Sequence, residues 1–275
     1  MTDSQSHSTR RERYTHGYAD AVMQSHAART VENSLAYGQA HLRPGMTVLD
    51  LGCGAGTITA DIAGRIAPGR VIAVDIDLGV LALASQTAAD RGLVNIDFQV
   101  GDAYGLDLAD GAVDMAHAHQ LLQHVQDPVA VLAEMARVTR PGGVVAARDG
   151  DYASFTWYPA SDGLDEWLRL YRLVARSNGG EPDAGRHLLA WAHQAGLSQV
   201  VASCTSWTFA AGPAARWWGH NWADRVLHSS ITQQFLDSSE ASPTDLAAIA
   251  QAWITWSEHP DAWFSAPSAE ILATV

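Results

Sequence analysis

Between residues 46 and 150, short apolar runs alternate with stretches of helical spacing, and few folds accommodate that rhythm. Met46–Leu51 is an apolar run of strand length, followed at once by glycines. Residues 55–66 continue with helical spacing and stop at Pro68-Gly69. The units then repeat, with strands expected over residues 70–75, 96–100, 112–118 and 143–148 and helices over 78–90 and 128–138. Short strands and helices taking turns bury both faces of a sheet when the strands run parallel and helices cover each side. The expected fold class is therefore α/β, a doubly wound Rossmann-like sheet whose ligands sit beyond the carboxyl ends of the strands.

Beyond this core, helices are expected near residues 162–177, 185–195, 213–237 and 244–257, with a sixth strand over 200–208 and part of a seventh over 263–265. Residues 1–13 read as a polar tail, and the apolar positions Val22, Met23, Ala27, Val31 and Leu35 suggest one or two leading helices. The expected organisation is residues 1–43 as tail and leading helices, 44–208 as the core with helical additions after strand five, 209–260 as a tryptophan-rich helical lid, and 261–275 as the last core strand.

Charge narrows the chemistry. The chain carries −13 at pH 7, and all 17 of its basic residues are arginine. Without lysine there is no Schiff-base lysine, no phosphate-loop lysine and no kinase strand lysine. An acidic chain whose arginines are scattered from Arg10 to Arg225 repels nucleic acid, so no nucleic-acid partner is expected. Cys53 and Cys204 form neither a zinc-ligand spacing nor a disulfide framework, so no metal and a reducing cytoplasm are expected. No run of 18 apolar residues occurs, so no membrane span is expected. The expected partner is a small molecule, and self-association through the N-terminal helices is left open.

The segment Val48-Leu-Asp-Leu-Gly-Cys-Gly-Ala-Gly56 runs straight from strand into helix. Gly52, Gly54 and Gly56 let the backbone turn tightly and admit a ligand to the helix N-terminus, where unpaired N–H groups favour an anionic group. Asp75 closes the next strand, where a carboxylate can accept from both hydroxyls of a ribose. Gly101-Asp102-Ala103 closes the third strand and places a second carboxylate in reach of an adenine amino group. Asp50, just ahead of the glycines, is suited to order their loop. A dinucleotide site needs G-x-G-x-x-G, and here the third glycine comes one residue early.

Five segments in order over about residues 44–150, LRPGMTVLDLGCGAGTIT, VIAVDID, NIDFQVGDA, DMAHAHQLLQHVQDP and EMARVTRPGGVVAARDGD, resemble the class I S-adenosylmethionine-dependent methyltransferases. Within them, LLQHVQDPVAVLAEMARVTRPGG is similar to the motif after the fourth strand in the ubiquinone-biosynthesis-like branch. The resemblance implies seven strands in the order 3-2-1-4-5-7-6 and S-adenosylmethionine as cofactor, leaving S-adenosylhomocysteine. It implies Gly52 and Gly54 at the methionine moiety, Asp75 with Ile76 at the ribose, Asp102 and Ala103 at adenine, and His119 beside the methionine portion. Tyr14, His16 and Arg29 resemble positions where a leading helix closes over the cofactor, with Arg29 pairing the methionine carboxylate. The implied activity is methylation of a small, largely apolar acceptor, quinone-like or of specialised metabolism, at O, N or C. A non-catalytic or scaffold use of the cofactor stays open, and a nicotinamide oxidoreductase is disfavoured by the glycine spacing and the missing lysine.

Methyl transfer from a sulfonium is an in-line displacement that asks for alignment, exclusion of water and, for a protonated nucleophile, a base. His124 and His119 are the catalytic candidates, and a histidine base would make the rate rise through the imidazole range near 6.5. Asp149, Asp151 and Tyr152 leave strand five at the ligand edge, where Asp151 is a further catalytic candidate and Tyr152 a substrate contact; a solvated turn explains them equally. All ten tryptophans lie after residue 156. Trp218 and Trp222 share a helical face and are candidates for the acceptor wall, with core packing as the alternative.

Overall fold

The computed structural model describes Thr15 and residues 28–275, so the expectations for Tyr14, His16 and most of the leading helices lie outside the described residues. The chain enters through a single turn, α1 (Val31–Ser34), in which Thr30 and Asn33 cap each other reciprocally. The alternation then follows as β1 (Thr47–Leu51), α2 (Thr57–Ile66), β2 (Arg70–Asp75), α3 (Leu78–Asp90), β3 (Ile96–Val100), β4 (Val113–His119), α4 (Pro128–Val138) and β5 (Thr139–Gly150). The helix starts are capped as their sequences dictate. Asp77 accepts from the N–H groups of Gly79 and Val80, and Asp127 accepts from Ala130 with Pro128 at the first helical position.

β1 lies between β2 and β4, β3 flanks β2, and β5 flanks β4, all parallel. Successive residues of a strand face opposite sides, so Val48 joins one apolar layer with Ile62 and Ala84 while Leu49 joins the other with Leu132 and Met135. Parallel register brings Leu51 level with Val74 and Ala118, and His119 level with Arg148. The segments that leave these strands therefore open onto one edge.

The second half holds β6 (Thr156–Tyr158), α5 (Asp162–Ser177), α6 (Leu188–Gln194), β7 (Gln199–Ala210), α7 (Pro213–His228), α8 (Ser230–Asp237), α9 (Pro243–Ser257) and β8 (Trp263–Thr274). β8 runs antiparallel, with β5 and the short β6 on one side and β7 along its full length on the other. The expected order is present with one strand more: counted along the chain it is 3-2-1-4-5-8-7, and β6 is the addition. The single helix expected over 213–237 is two. Ser229 adopts an extended backbone between them, and its hydroxyl caps the start of α8. A third apolar cluster joins Trp167 of α5, Trp222 of α7, Trp253 of α9 and Phe264 of β8, so aromatic packing crosses the boundary expected at residue 208.

Candidate active site

Three glycines with positive φ, Gly52, Gly54 and Gly56, carry the chain from β1 into α2. They serve different ends. A Cβ on Gly56 would stand 2.8 Å from the Cβ of Ala84 on α3, and one on Gly52 would stand 3.1 Å from Leu121, whereas one on Gly54 would meet nothing within 4 Å. Gly54 thus faces open space, and its N–H donates to Asp75 Oδ2 at 3.1 Å. The Asp77 N–H donates to the other oxygen of Asp75 at 3.2 Å. Burial raises the Asp75 pKa despite these bonds. At the end of β3, Asp102 accepts from the Tyr104 N–H, and the Tyr104 hydroxyl accepts from the N–H groups of Gln126 and Asp127, fastening that loop to the start of α4.

Around a cleft of about 190 Å³ the structure brings together Arg29, Gly52, Gly54, Asp75, Ile76, Asp102, Ala103, His119 and His124. The set fits the groups of S-adenosylmethionine: a guanidinium for a carboxylate, a half-buried carboxylate for a diol, and open backbone at Gly54 where a side chain would intrude. Behind the cleft, Asp50 orders the loop as its position suggests. It accepts from the Thr59 hydroxyl at 2.5 Å and pairs with His117 Nδ1 at 2.7 Å, tying β1 to α2 and β4.

His124 and Asp149 behave unlike ordinary side chains. Burial, with the Arg29 charge adding to it, pushes the His124 pKa down to about 3, so this imidazole stays neutral and does not titrate near 6.5. Burial pushes Asp149 up to about 7, although the N–H groups of Leu122 and Gln123 donate to its carboxylate. Asp149 and Asp151 line neither cavity. Asp151 is held by Arg186 through two hydrogen bonds, at 2.7 and 2.8 Å.

A second cavity, of about 300 Å³, adjoins the first, and Arg29 and Gln120 line both. Arg29 donates to the Gln120 side chain at this junction and stacks against Trp207. Tyr152, Trp218 and Trp222 line the second cavity, joined by Phe155, Trp207, Phe209 and Arg225. Gln120 sits at φ 52, a backbone conformation rare for any residue but glycine, with its N–H donating to the Arg148 carbonyl at 2.7 Å. The sequence reading missed Gln120 and Arg225. Gln120 adjoins His119 at a strand end, a signal within reach, but its left-handed backbone has no sequence mark. Arg225 is brought in by tertiary packing.

A family described as a methyltransferase domain matches residues 42–196. An uncharacterised methyltransferase of Schizosaccharomyces pombe is 32% identical over 268 residues, covering 94% of this chain and 95% of that one. A demethylmenaquinone methyltransferase of Parafrankia is 32% identical over 209 residues, 69% of this chain and 80% of that one. Phosphoethanolamine N-methyltransferase 2 of Haemonchus contortus, solved with phosphomonomethylethanolamine and S-adenosylhomocysteine, shares the fold at a TM-score of 0.56 and 14% identity, over 88% of this chain and 52% of that one. The chain belongs to the class I S-adenosylmethionine-dependent methyltransferases. Among the described residues no helix is long and apolar enough to cross a membrane.

Proposed function

We propose that this methyltransferase acts on a small, planar, largely apolar acceptor held in the aromatic cavity. The observation that carries this reading is that the two cavities adjoin, with Arg29 and Gln120 in the wall of each. Arg29, Gly52 and Gly54 would hold the methionine portion of S-adenosylmethionine, Asp75 with Ile76 the ribose, and Asp102 and Ala103 the adenine. Bound there, the cofactor supplies an electrophilic methyl group on a sulfonium. Tyr152, Trp218 and Trp222 would flatten the acceptor and exclude water, and residues 209–260 would act as its cover.

Alignment rather than proton removal would be the main work of the protein. A neutral imidazole whose conjugate acid has a pKa of about 3 is a feeble base at pH 7, so His124 is assigned to shaping the cleft and His119 to contact near the transferred methyl. Asp151, engaged by Arg186, would brace the turn that presents Tyr152. The demethylmenaquinone methyltransferase among its relatives supports a ring as acceptor. Cysteine usage supports a cytoplasmic setting. The test is mass spectrometry of extracts incubated with the enzyme and isotopically labelled methyl donor. One product gaining a single labelled methyl on a planar ring is expected, and exclusive labelling of an acyclic polar amine would overturn the reading.

A further inference from the structure

Two side-chain amides stand in the wall of the second cavity, Asn33 and Gln120, and they are engaged differently. Asn33 is held at both ends: its Nδ2 donates to the Ala28 carbonyl at 2.9 Å, and its Oδ1 accepts from the Thr30 N–H and the Ser34 hydroxyl, each at 2.8 Å. Gln120 is held at one end only. Arg29 donates to its Oε1, and because a guanidinium cannot accept, this contact fixes which way round the amide lies. Among the described residues nothing accepts from its Nε2 N–H groups, and that nitrogen, on a half-buried residue, is not one of the polar atoms closed off from solvent.

The surroundings hold this amide in place. Gln120 keeps its φ of 52 because its N–H donates to the Arg148 carbonyl of β5 at 2.7 Å and because Leu121, the next residue, packs against Gly52. On the side-chain end, the Arg29 guanidinium lies 5.7 Å from the centre of the Trp207 ring, and the Trp207 indole N–H donates to the Asn33 carbonyl at 2.9 Å. Backbone and amide oxygen are both anchored, so the amide nitrogen is presented without the rotamer freedom of an exposed glutamine. A hydrogen bond accepted from a cation also polarises the amide and strengthens what its N–H groups can donate.

We propose that Gln120 is a specificity-determining residue of the acceptor site, its Nε2 donating to an oxygen of the acceptor where the two cavities adjoin. This rests on the reading of the second cavity as the acceptor site and deepens it. The nitrogen end of the amide can only donate, so a ring carrying a carbonyl, hydroxyl or phenolate oxygen satisfies it, whereas a hydrocarbon leaves it unpaired once water is displaced. An ammonium, which also only donates, is turned away by the same N–H groups and by the Arg29 charge beside them. Because Gln120 lines the cofactor cleft as well, an oxygen held by it lies at the cofactor side of the acceptor.

The test compares 2-acetylnaphthalene with 2-isopropenylnaphthalene, in which a methylene group replaces the carbonyl oxygen. Each is titrated by calorimetry at pH 7 into protein saturated with S-adenosylhomocysteine, with saturation set for every variant by its own titration. Gln120→Met keeps the side-chain length and removes the donors, and should weaken the ketone relative to the alkene by roughly fivefold, the range of a neutral hydrogen bond. Gln120→Glu keeps an oxygen for Arg29 but sets a carboxylate oxygen in place of Nε2, and should weaken the ketone relative to the alkene by roughly tenfold or more. In the infrared, the carbonyl stretch of the bound, isotopically labelled ketone should lie lower in the wild-type protein than in Gln120→Met. If neither variant binds S-adenosylhomocysteine, the wild-type stretch decides: a shift below its position in cyclohexane supports the proposal, and no shift overturns it. A ketone-to-alkene ratio unchanged in both variants overturns the proposal and leaves the acceptor site standing. Failure of both probes to bind the wild-type protein would overturn the reading of the second cavity, and failure of S-adenosylhomocysteine to bind would overturn that of the first.

Discussion

His124 and Asp149 lie close to the same cleft and are displaced in opposite directions by the same cause, removal from water. Their effects on stability have opposite signs. His124 is near 3 in the folded chain against an ordinary 6.5, so between these values the unfolded chain binds the extra proton and stability falls as pH falls. Asp149 is near 7 against an ordinary 3.8, so the folded chain holds the proton and stability falls as pH rises through that range. Each slope approaches ~1.4 kcal/mol per pH unit, and over pH 4.5–6 the two oppose each other. The wild-type urea midpoint should therefore be nearly level there. His124→Gln should leave a midpoint that falls with rising pH, and Asp149→Asn one that rises. Variants with parallel pH profiles would show that these groups are not displaced as the structure implies.

At the scale of the element, the strand-to-helix turn separates two tasks that the sequence presents as one. Gly54 and Gly56 share positive φ, so alanine at either is strained by roughly 1–2 kcal/mol. Only at Gly56 does the new methyl strike backbone and side chain of α3, which adds an overpacking cost of about 1–3 kcal/mol. Gly56→Ala should thus lower the melting temperature far more than Gly54→Ala. The ranking should invert for S-adenosylhomocysteine affinity in the folded fraction, since a methyl at Gly54 projects into the cleft. Thermal melts and calorimetry on both variants check it, and equal losses in both measurements would reject the division. The glycine motif was legible because each residue type there has a narrow physical use; which glycine guards packing depends on Ala84, 28 residues further on, and that distance is invisible locally. The same holds for Ser229, whose capping role is readable once a helix break is known, though helical periodicity runs on through it.

The whole molecule divides by how its parts are specified. The first sheet half was readable because each strand, turn and helix carries its own period and punctuation, and Asp75 and Asp102 fall at strand ends by counting alone. The second half is held by rings from four elements, and ring contacts between Trp167, Trp222, Trp253 and Phe264 arise from chain segments up to 97 residues apart, a relation no local pattern encodes. The tryptophans consequently answer two demands at once. Trp253 is fully buried and lines neither cavity, Trp218 lines the second cavity and stacks on Phe209, and Trp222 does both kinds of work through Trp167 and the cavity wall. Trp253→Ala should lose about 3–5 kcal/mol of stability, as large-to-small changes in a packed core do, with little effect on ligand binding while folded. Trp218→Ala should lose less stability and weaken acceptor binding most, and Trp222→Ala should suffer in both respects. Urea denaturation paired with titration of a planar, largely apolar probe such as 2-naphthol, followed through the quenching of tryptophan fluorescence, separates these outcomes. If Trp218→Ala matches Trp253→Ala in lost stability and keeps wild-type binding, its indole belongs to the core, and residues 209–260 are packing rather than a cover over the acceptor.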